Sequence, residues 1–239
     1  MTVSSGPQLA VEDLAISYGD ITVVREADMT ADEGSVVSIV GANGAGKTTL
    51  LKTIAGVKDP DRGSVRFEGE DIVGMAPHEI ISRGLVYVPE RHQIFPDMTV
   101  RDNLLIARSP VQDGDENTMD EVFDLFPILD ECRDQQAGTM SGGQQQMLAL
   151  AQGLAAEPDL LMLDEPTLGL APQIVEDVWG TIKTISDEGV TILLVDEKVE
   201  LAQDIADSMY LMREGTLHYL GEEGEFEAAY DEATSGMVE

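Results

Sequence analysis

A glycine-rich segment near the start of the chain joins a short apolar run to a lysine and two threonines. The apolar run is Val36–Val40, and the segment Gly41–Thr49 that follows it reads Gly-Ala-Asn-Gly-Ala-Gly-Lys-Thr-Thr. A short apolar run bounded by glycine is typical of a buried strand. The spacing Gly-x-x-x-x-Gly-Lys-Thr at a strand-to-helix turn is typical of a loop that holds phosphate groups. The pattern therefore predicts an α/β fold in which a parallel strand ends at the start of a helix.

The backbone of this loop supplies most of the predicted phosphate contacts. Its glycines let successive N–H groups turn toward phosphate oxygens, and a helix that begins near Lys47 adds the positive end of its dipole. We expect Lys47 to reach the β- and γ-phosphates, Thr48 to offer its hydroxyl to a bridging Mg²⁺, and Thr49 to cap or line the loop. The predicted binding residues of the loop are Gly41, Ala42, Asn43, Gly44, Ala45, Gly46, Lys47, Thr48 and Thr49. The alternative is a glycine-rich turn that merely precedes a helix.

A second apolar run ends in two acids. The segment Asp159–Glu165 reads Asp-Leu-Leu-Met-Leu-Asp-Glu, which predicts a buried parallel strand with its acids at the carboxyl edge of the sheet. Asp164 is placed to hold Mg²⁺ through water, and Glu165 is placed to orient or deprotonate the water that attacks a γ-phosphate. The alternative is a pair of solvated acids at a strand end.

A third motif, Met140-Ser141-Gly142-Gly143-Gln144, begins a predicted helix shortly before that strand and offers another anion-binding helix start. Together the three motifs resemble the ATP-binding-cassette (ABC) ATPases, whose signature reads Leu-Ser-Gly-Gly-Gln. The resemblance covers residues 8–221, with a helical subdomain over about 98–155 and an acidic extension over 222–239. It implies an α/β P-loop NTPase (RecA-like) core with an antiparallel β subdomain and a helical subdomain.

The resemblance also implies how the motifs work together. Such cassettes act as dimers that bind ATP and Mg²⁺ and hydrolyse the ATP. The signature helix of one subunit closes over the ATP held by the phosphate loop of the other subunit. Ser141 and Gly143 are thus expected to contact a γ-phosphate on the partner, with Gly142 and Gln144 completing the signature.

Two further positions match the family's nucleotide contacts. Tyr18 corresponds to the aromatic residue that stacks on adenine, because a flat ring face tolerates any base orientation; an ordinary sheet aromatic is the alternative. Glu90 lies where most cassettes have a glutamine that touches Mg²⁺ and senses the membrane partner. A subset of importer cassettes carries glutamate there, and the alternative is a solvated loop acid.

Glu197 is the sharpest departure from the family pattern. It follows the apolar run Thr191–Val195 and aligns with the histidine that senses the γ-phosphate, a position where related cassettes often have glutamine. An ionised glutamate cannot donate a hydrogen bond and would face a polyanion. Glu197 is thus a candidate catalytic residue with two interpretations. Either it turns away and is an acid at a helix N-terminus, or this subunit's own ATP site hydrolyses poorly.

Several patterns fix the remaining elements. Val175, Val178, Ile182 and Ile185 form one apolar helical stripe after Pro172, which predicts a core-facing helix. A helical stretch over about 100–131 is interrupted by a polar loop at residues 112–117. Residues 210–220 predict a closing hairpin.

The charge balance excludes some partners and suggests an environment. The chain has 46 acidic and 14 basic residues and a formal net charge of −32. Binding of DNA or RNA depends on Lys and Arg, so no nucleic-acid partner is expected. Strong self-repulsion would be relieved by salt, which predicts a high-salt (halophile) cytoplasm, with an acidic mesophile protein as the alternative. The single cysteine and the scattered histidines predict neither a disulfide nor a metal site of their own.

The function follows from motifs that are present and insertions that are absent. No apolar run is long enough for a spanning helix, and there is no coiled-coil insertion or second cassette. The motifs Glu165–Pro172 and Val88–Arg91 resemble the smaller ATPase subunit of branched-chain amino acid importers. The expected partners are a second cassette or another copy of this chain, two transmembrane permeases and, indirectly, a solute-binding protein. The expected location is the cytoplasmic face of the membrane.

Alternatives remain for the cargo and the role. A urea, amide or other polar amino acid importer shares much of this pattern. The chain could also be a catalytically weak subunit whose partner cassette does most of the hydrolysis. A regulatory or nucleic-acid-linked ATPase without a permease is the rival from another class.

Overall fold

The structure is a computed structural model that describes residues 6–90, 94–108, 116–226 and 228–230, and their side chains except those of 116–118 and 200. Three predictions fall wholly or partly outside these residues: Arg91 of the Val88–Arg91 motif, the polar loop at 112–117, and most of the extension at 222–239. The helix that follows the polar loop already includes residue 116.

Ten strands and eight α-helices alternate along the described chain. The strands are β1 (Leu9–Tyr18), β2 (Ile21–Ala31), β3 (Val36–Val40), β4 (Arg62–Phe67), β5 (Glu70–Asp71), β6 (Leu85–Val88), β7 (Leu160–Asp164), β8 (Thr191–Asp196), β9 (Ser208–Arg213) and β10 (Thr216–Glu222). The helices are α1 (Lys47–Ile54), α2 (Pro77–Ile81), α3 (Val100–Ala107), α4 (Glu116–Leu125), α5 (Pro127–Asp130), α6 (Gly142–Ala155), α7 (Pro172–Asp187) and α8 (Val199–Gln203), with a 3-10 turn at Ala137–Thr139.

The strands form one sheet in the order β5-β4-β1-β2-β10-β9-β3-β8-β7-β6. Strands β5, β4, β1 and β2 pair antiparallel, whereas β9, β3, β8, β7 and β6 are all parallel. Strands β9 and β10 form the predicted hairpin. The sheet therefore combines an antiparallel part with a parallel core, as the family resemblance implies.

The central parallel strands are buried on both faces. Every residue of β3, β7 and β8 is buried, which explains why their sequences read as continuous apolar runs. Each fully buried aliphatic side chain contributes about 1.5–3 kcal/mol to stability. Because successive side chains point to opposite faces, Leu161 and Leu163 join one core while Leu160 and Met162 join the other.

Different elements cover the two faces. The face of Met162 packs against α1, β1 and β2, and the face of Leu161 packs against α3 to α7. The predicted stripe on α7 is buried, with the addition of Trp179. Asp164 has the same parity in β7 as Met162, so its side chain lies on the α1 face. No described helix combines the length and apolar character needed to cross a bilayer.

Candidate nucleotide-binding site

The phosphate loop lies between β3 and α1, where the sequence places it. Its backbone needs glycine at two close approaches. A Cβ at Gly41 would come 2.3 Å from the Met212 carbonyl oxygen, and Gly46 has a φ of 116° immediately before the first helical residue, Lys47. Any other residue at either position would push the loop away from β9 or strain its backbone. The loop is therefore held against the sheet with the start of α1 facing its interior.

Lys47 is buried inside the loop, and its ammonium group contacts three oxygen atoms. It is 4% exposed, and its Nζ donates to the carbonyl oxygens of Gly41 (2.8 Å) and Ala42 (3.2 Å). The same Nζ lies 3.2 Å from Glu165 Oε1, which is itself only 7% exposed. The structure thus joins the loop lysine to the second acid of the β7 motif through a buried ion pair.

Thr48 is joined to the first acid of that motif. Its Oγ1 donates to Asp164 Oδ1 at 3.0 Å, and Tyr87 Oη donates to Asp164 Oδ2 at 2.8 Å. Asp164 is 2% exposed. Burial raises its pKa, the two hydroxyl hydrogen bonds oppose this rise, and the nearby charge of Glu90 adds to it. Burial and the Asp164 charge raise the pKa of Tyr87 far above its usual range, so its hydroxyl stays a donor.

Glu165 lies at a sharp turn after β7. Its φ is 48°, an uncommon value for a residue with a side chain, and its N–H donates to the Val195 carbonyl at 2.8 Å. Burial raises the pKa of Glu165, Lys47 lowers it, and the charges of Glu197 and Asp164 raise it further. The carboxylate is therefore held near the phosphate loop in an environment that favours taking up a proton.

Glu197 and Glu90 lie at the two sides of this acidic pair. Glu197 is exposed in the bend after β8, one residue before Lys198, the capping residue of α8. It follows β8, which pairs with β3, the strand that precedes the phosphate loop, and its charge acts on Glu165. Glu90 is half-buried in the bend after β6, and its charge acts on Asp164. Both positions bring an acid to the carboxyl edge of the parallel strands.

Tyr18 ends β1 next to the phosphate loop. Its ring is 48% exposed, and Lys58 Nζ lies 5.6 Å from the ring centroid. The neighbouring strand β2 lines the loop, because a Cβ at Gly46 would come 3.2 Å from the Val23 carbonyl oxygen. The half-exposed ring, with Lys58 over it, therefore lies at the end of the strand that pairs with β2.

The signature segment begins α6, with Ser141 and Gly142 exposed and Gly143 and Gln144 half-buried. Ser141 caps the helix: its Oγ accepts from the Gln144 N–H at 3.3 Å, and its own N–H donates to Gln144 Oε1 at 3.0 Å. A Cβ at Gly143 would come 2.8 Å from Ile174 Cγ2, so glycine allows α7 to pack closely there. Within the described residues, no hydrogen bond or ion pair joins this segment to the phosphate loop.

Two buried residues link the loops that carry Glu165 and Glu197. Thr167 Oγ1 donates to Asp196 Oδ2 at 3.1 Å, and the Lys198 N–H donates to Asp196 Oδ1 at 2.9 Å. Thr167 is 1% exposed and Asp196 is 4% exposed. The buried Asp196 carboxylate therefore ties together the chain segments that follow β7 and β8.

Tyr87, Thr167 and Asp196 are not predicted as site residues from the sequence. Tyr87 reads as one more apolar residue of the Leu85–Val88 strand. The available signal was its hydroxyl, which a fully apolar strand position does not need. Thr167 and Asp196 each follow a strand end, but their pairing depends on two segments that are distant in sequence.

The donors at this site fit a magnesium nucleotide. Backbone N–H groups and an ammonium suit phosphate oxygens, and a threonine hydroxyl with a carboxylate suits Mg²⁺, which prefers oxygen ligands. A glycine-rich loop closed against two strand-end acids defines a P-loop nucleoside triphosphatase.

Comparison with known proteins gives the family. The model of the ABC transporter family matches residues 24–168. The high-affinity branched-chain amino acid transport ATP-binding protein BraG of Pseudomonas aeruginosa is 40% identical over 87% of this chain and 90% of its own length. The probable branched-chain amino acid transport ATP-binding protein LivF of Archaeoglobus fulgidus is 36% identical over 87% and 89%.

A solved structure is also similar to this chain. The ADP conformation of an ATP-binding cassette of an ABC transporter matches with a TM-score of 0.85 and 26% identity, over 97% of this chain and 98% of that chain. The chain belongs to the ABC transporter family. It is an ATP-binding cassette that uses Mg²⁺ and hydrolyses ATP, which confirms the predicted fold class, cofactors and enzyme class.

Proposed function

We propose that this chain is the ATP-hydrolysing subunit of an importer that takes branched-chain amino acids across the cytoplasmic membrane. One observation carries the proposal: Lys47 and Thr48 contact Glu165 and Asp164 directly at the carboxyl edge of the parallel strands. The cargo is proposed from BraG and LivF, which this chain matches over 90% and 89% of their lengths.

Lys47 acts as the main counter-charge for the phosphates. Its Nζ is held by two loop carbonyls and by Glu165. The backbone N–H groups of Gly41–Gly46 and the start of α1 complete the anion-binding surface. When ATP binds, Lys47 exchanges its contact with Glu165 for phosphate oxygens. This exchange frees the Glu165 carboxylate for the attacking water.

Thr48 and Asp164 would hold Mg²⁺, with Asp164 acting through a water molecule. Glu90 would contact Mg²⁺ from the bend after β6. A bound Mg²⁺ neutralises phosphate charge and polarises the reacting phosphoryl group. The residues of this chain keep the site in shape: Asp164 is buried, and both its oxygens already accept hydrogen bonds. Thr49 lines the loop beside them.

Glu165 acts as the group that orients and deprotonates the attacking water. Its pKa is raised by burial and by the neighbouring acids, and a carboxylate with a raised pKa accepts a proton more readily. Its position after β7 is fixed by the hydrogen bond from its N–H to the Val195 carbonyl.

The signature residues Ser141, Gly142, Gly143 and Gln144 act on the ATP held by a partner cassette. The exposure of Ser141 and Gly142 at the start of α6 supports this role, and so does the lack of a hydrogen bond from the signature residues to their own phosphate loop within the described residues. The partner is a second cassette or another copy of this chain. Tyr18 stacks on the adenine with its exposed ring face.

Permease subunits dock beside the bend that carries Glu90. Ile81, Leu105 and Ile106 are each more than 40% exposed. Ile81 borders a cavity of about 170 Å³ that is also lined by Pro89 and Gln152. Exposed apolar side chains beside a recess suit a partner surface. Through the permeases the chain lies at the cytoplasmic face of the membrane, and the solute-binding protein acts indirectly.

A specific observation favours a second candidate, a catalytically weak subunit. Glu197 follows β8, the strand between β3 and β7, and its charge acts on Glu165. An ionised acid at this position could not donate a hydrogen bond to the γ-phosphate. In this case the partner cassette does most of the hydrolysis. The alternative, in which Glu197 is only an acid preceding α8, requires its side chain to turn away when ATP binds.

Reconstitution tests the proposed function. The chain is combined in proteoliposomes with the permeases, second cassette and solute-binding protein encoded beside its gene. We expect ATP-dependent uptake of labelled leucine, with no uptake in the Glu165→Gln complex. Uptake of urea or another amide, with no uptake of leucine, would show that the importer carries the alternative cargo. ATPase activity stimulated by DNA or ribosomes, without permease binding, would contradict the transporter role.

A further inference from the structure

Tyr87 lies where strand register brings its side chain to the metal side of the sheet. Strand β6 is the edge strand next to β7, and Tyr87 pairs directly with Met162. Asp164 is two residues beyond Met162 and points to the same face. A long side chain reaches such a diagonal neighbour on the adjacent strand. The register therefore predicts the contact that the structure shows between Tyr87 Oη and Asp164 Oδ2.

Two hydroxyl donors hold the buried Asp164 carboxylate. Thr48 Oγ1 donates to Oδ1 at 3.0 Å and Tyr87 Oη donates to Oδ2 at 2.8 Å. These two partners come from opposite sides, one from α1 and the other from the sheet edge. Fixing both oxygens fixes the plane of the carboxylate, which a single hydrogen bond cannot do.

The two hydroxyl donors differ in whether they have a further partner at the nucleotide site. Thr48 also has to serve the magnesium nucleotide, so its hydroxyl is shared. Among the described residues the Tyr87 hydroxyl bonds only to Asp164, and its ring packs against the core on the α1 face. It therefore supplies the constant constraint. Tyr87 also lies three residues before Glu90, so it connects the bend that faces the permease with the metal side of the site.

We propose that Tyr87 is a positioning residue for the magnesium site. By donating to Oδ2 it holds the Asp164 carboxylate so that Oδ1 faces Thr48 and the Mg²⁺ position. This inference rests on the proposed role of Asp164 and assigns a function to a residue outside the loop and acid motifs. Phenylalanine would fill the same space and lose only the hydrogen bond.

Nucleotide titrations with and without magnesium test the proposal on the full chain. Affinity for a fluorescent ATP analogue is measured in EDTA and at rising MgCl₂ for the unmutated chain, Tyr87→Phe and Tyr210→Phe. Tyr210 is the matched control, because its hydroxyl accepts from the Thr30 N–H at 3.2 Å in another part of the sheet. We expect Tyr87→Phe to keep the EDTA affinity and to need roughly tenfold more Mg²⁺ for half of the magnesium effect. Tyr210→Phe should match the unmutated chain.

The possible outcomes separate the positioning role of Tyr87 from the proposed Mg²⁺ site itself. An unchanged magnesium requirement in Tyr87→Phe overturns the positioning role, and so does an equal loss of affinity with and without Mg²⁺, which indicates a merely structural role. A magnesium effect that is absent in the unmutated chain contradicts the proposed metal site itself. In the Asp164→Asn background, Tyr87→Phe should change nothing further, because the carboxylate on which it acts is gone.

A second measurement serves if Tyr87→Phe does not fold. The five tyrosines of the chain are labelled with fluorotyrosine, and the Tyr87 fluorine NMR signal is assigned by replacing each of the others. We expect this signal to shift when Mg²⁺ is added to the ADP complex. A Tyr87 signal that does not respond overturns the proposal.

Discussion

The two glycine-containing motifs of this chain differ in what surrounds them. The phosphate loop is enclosed: Lys47 is 4% exposed and bonded to the loop carbonyls and to Glu165. The signature start is more open: Ser141 and Gly142 are exposed, and two hydrogen bonds between Ser141 and Gln144 cap the helix. The chain therefore contains one completed anion site and one exposed helix start. This difference in exposure supports the proposal that the signature start meets its ligand on a partner cassette.

Replacing the buried acid of the enclosed region should give the largest effect. Glu165→Gln removes the carboxylate that takes the proton, and ATP hydrolysis in the assembled transporter should fall by roughly 10²–10⁴-fold while ATP stays bound. Single-turnover assays and gel filtration measure the rate and the trapped dimer. Glu176→Gln on the outer face of α7 is the control. Hydrolysis at the unmutated rate would show that the base lies elsewhere.

Removing the loop lysine should be nearly as severe. Lys47→Ala deletes the proposed main counter-charge of the phosphates, and each hydrogen bond to a charged group contributes about 1.5–3 kcal/mol. ATP affinity should therefore fall at least roughly 100-fold, as measured by titration of the isolated chain. The exposed Lys183, which pairs with Asp187 at 3.5 Å, gives the control Lys183→Ala. Normal ATP affinity in Lys47→Ala would contradict the proposal that Gly41–Thr49 binds the phosphates.

The open region should respond in a different assay. Ser141→Ala removes a helix cap worth about 1 kcal/mol, and ATP binding by the isolated chain should not change. Hydrolysis in the assembled dimer should drop by about tenfold, because a hydroxyl that meets the partner's phosphate is lost. Thr99→Ala is the matched control, since Thr99 Oγ1 caps α3 by accepting from the Asp102 N–H at 3.1 Å. If both variants lower hydrolysis equally, the comparison between the two regions fails.

A substitution at Glu197 tests the side of the enclosed region next to Glu165. Glu197→Gln should raise turnover a few-fold at the site containing this chain's phosphate loop, because an acceptor that repels phosphate becomes a donor. The assay uses the assembled transporter with the partner's catalytic acid disabled. An unchanged rate means that the side chain points away. A lower rate means that the carboxylate takes part in the reaction.

Salt should act on the exposed acids and leave the enclosed ones unaffected. The net charge of −32 predicts a thermal midpoint that climbs from dilute buffer to molar KCl, because the screening length falls to about 3 Å at 1 M salt and the repulsion between acids weakens. Buried pairs are screened much less, so Glu165→Gln should gain as much stability from KCl as the unmutated chain does. A flat midpoint across this range would contradict the halophile hypothesis, which so far rests on composition alone.

Sequence reasoning predicted the fold because the patterns involved are local. Strands β3, β7 and β8 are buried on both faces, so they read as apolar runs without knowledge of their neighbours. The stripe on α7 follows the helical period, and each of its predicted members is buried. The loop residues and the acids after β7 were found for the same reason, since each motif is a short continuous segment.

Contacts across strands could not be read in this way. The bond between Tyr87 and Asp164 depends on the pairing of β6 with β7, and a shift of one residue would turn Tyr87 to the other face. The bond between Thr167 and Asp196 joins residues 29 positions apart. Glu197 was ambiguous for the same reason, because its neighbour Glu165 follows a different strand.

The sequence by itself determined the class of ligand, the identity of the charged groups and the alternation of strands and helices. These depend on residue type and spacing within one segment. The tertiary structure alone decided that Lys47 pairs with Glu165, that two hydroxyls hold Asp164, and that the signature start stays exposed. The physical reason is that distances between segments are set by strand register and by the packing of helices on the sheet, and neither is encoded in any single stretch of the chain.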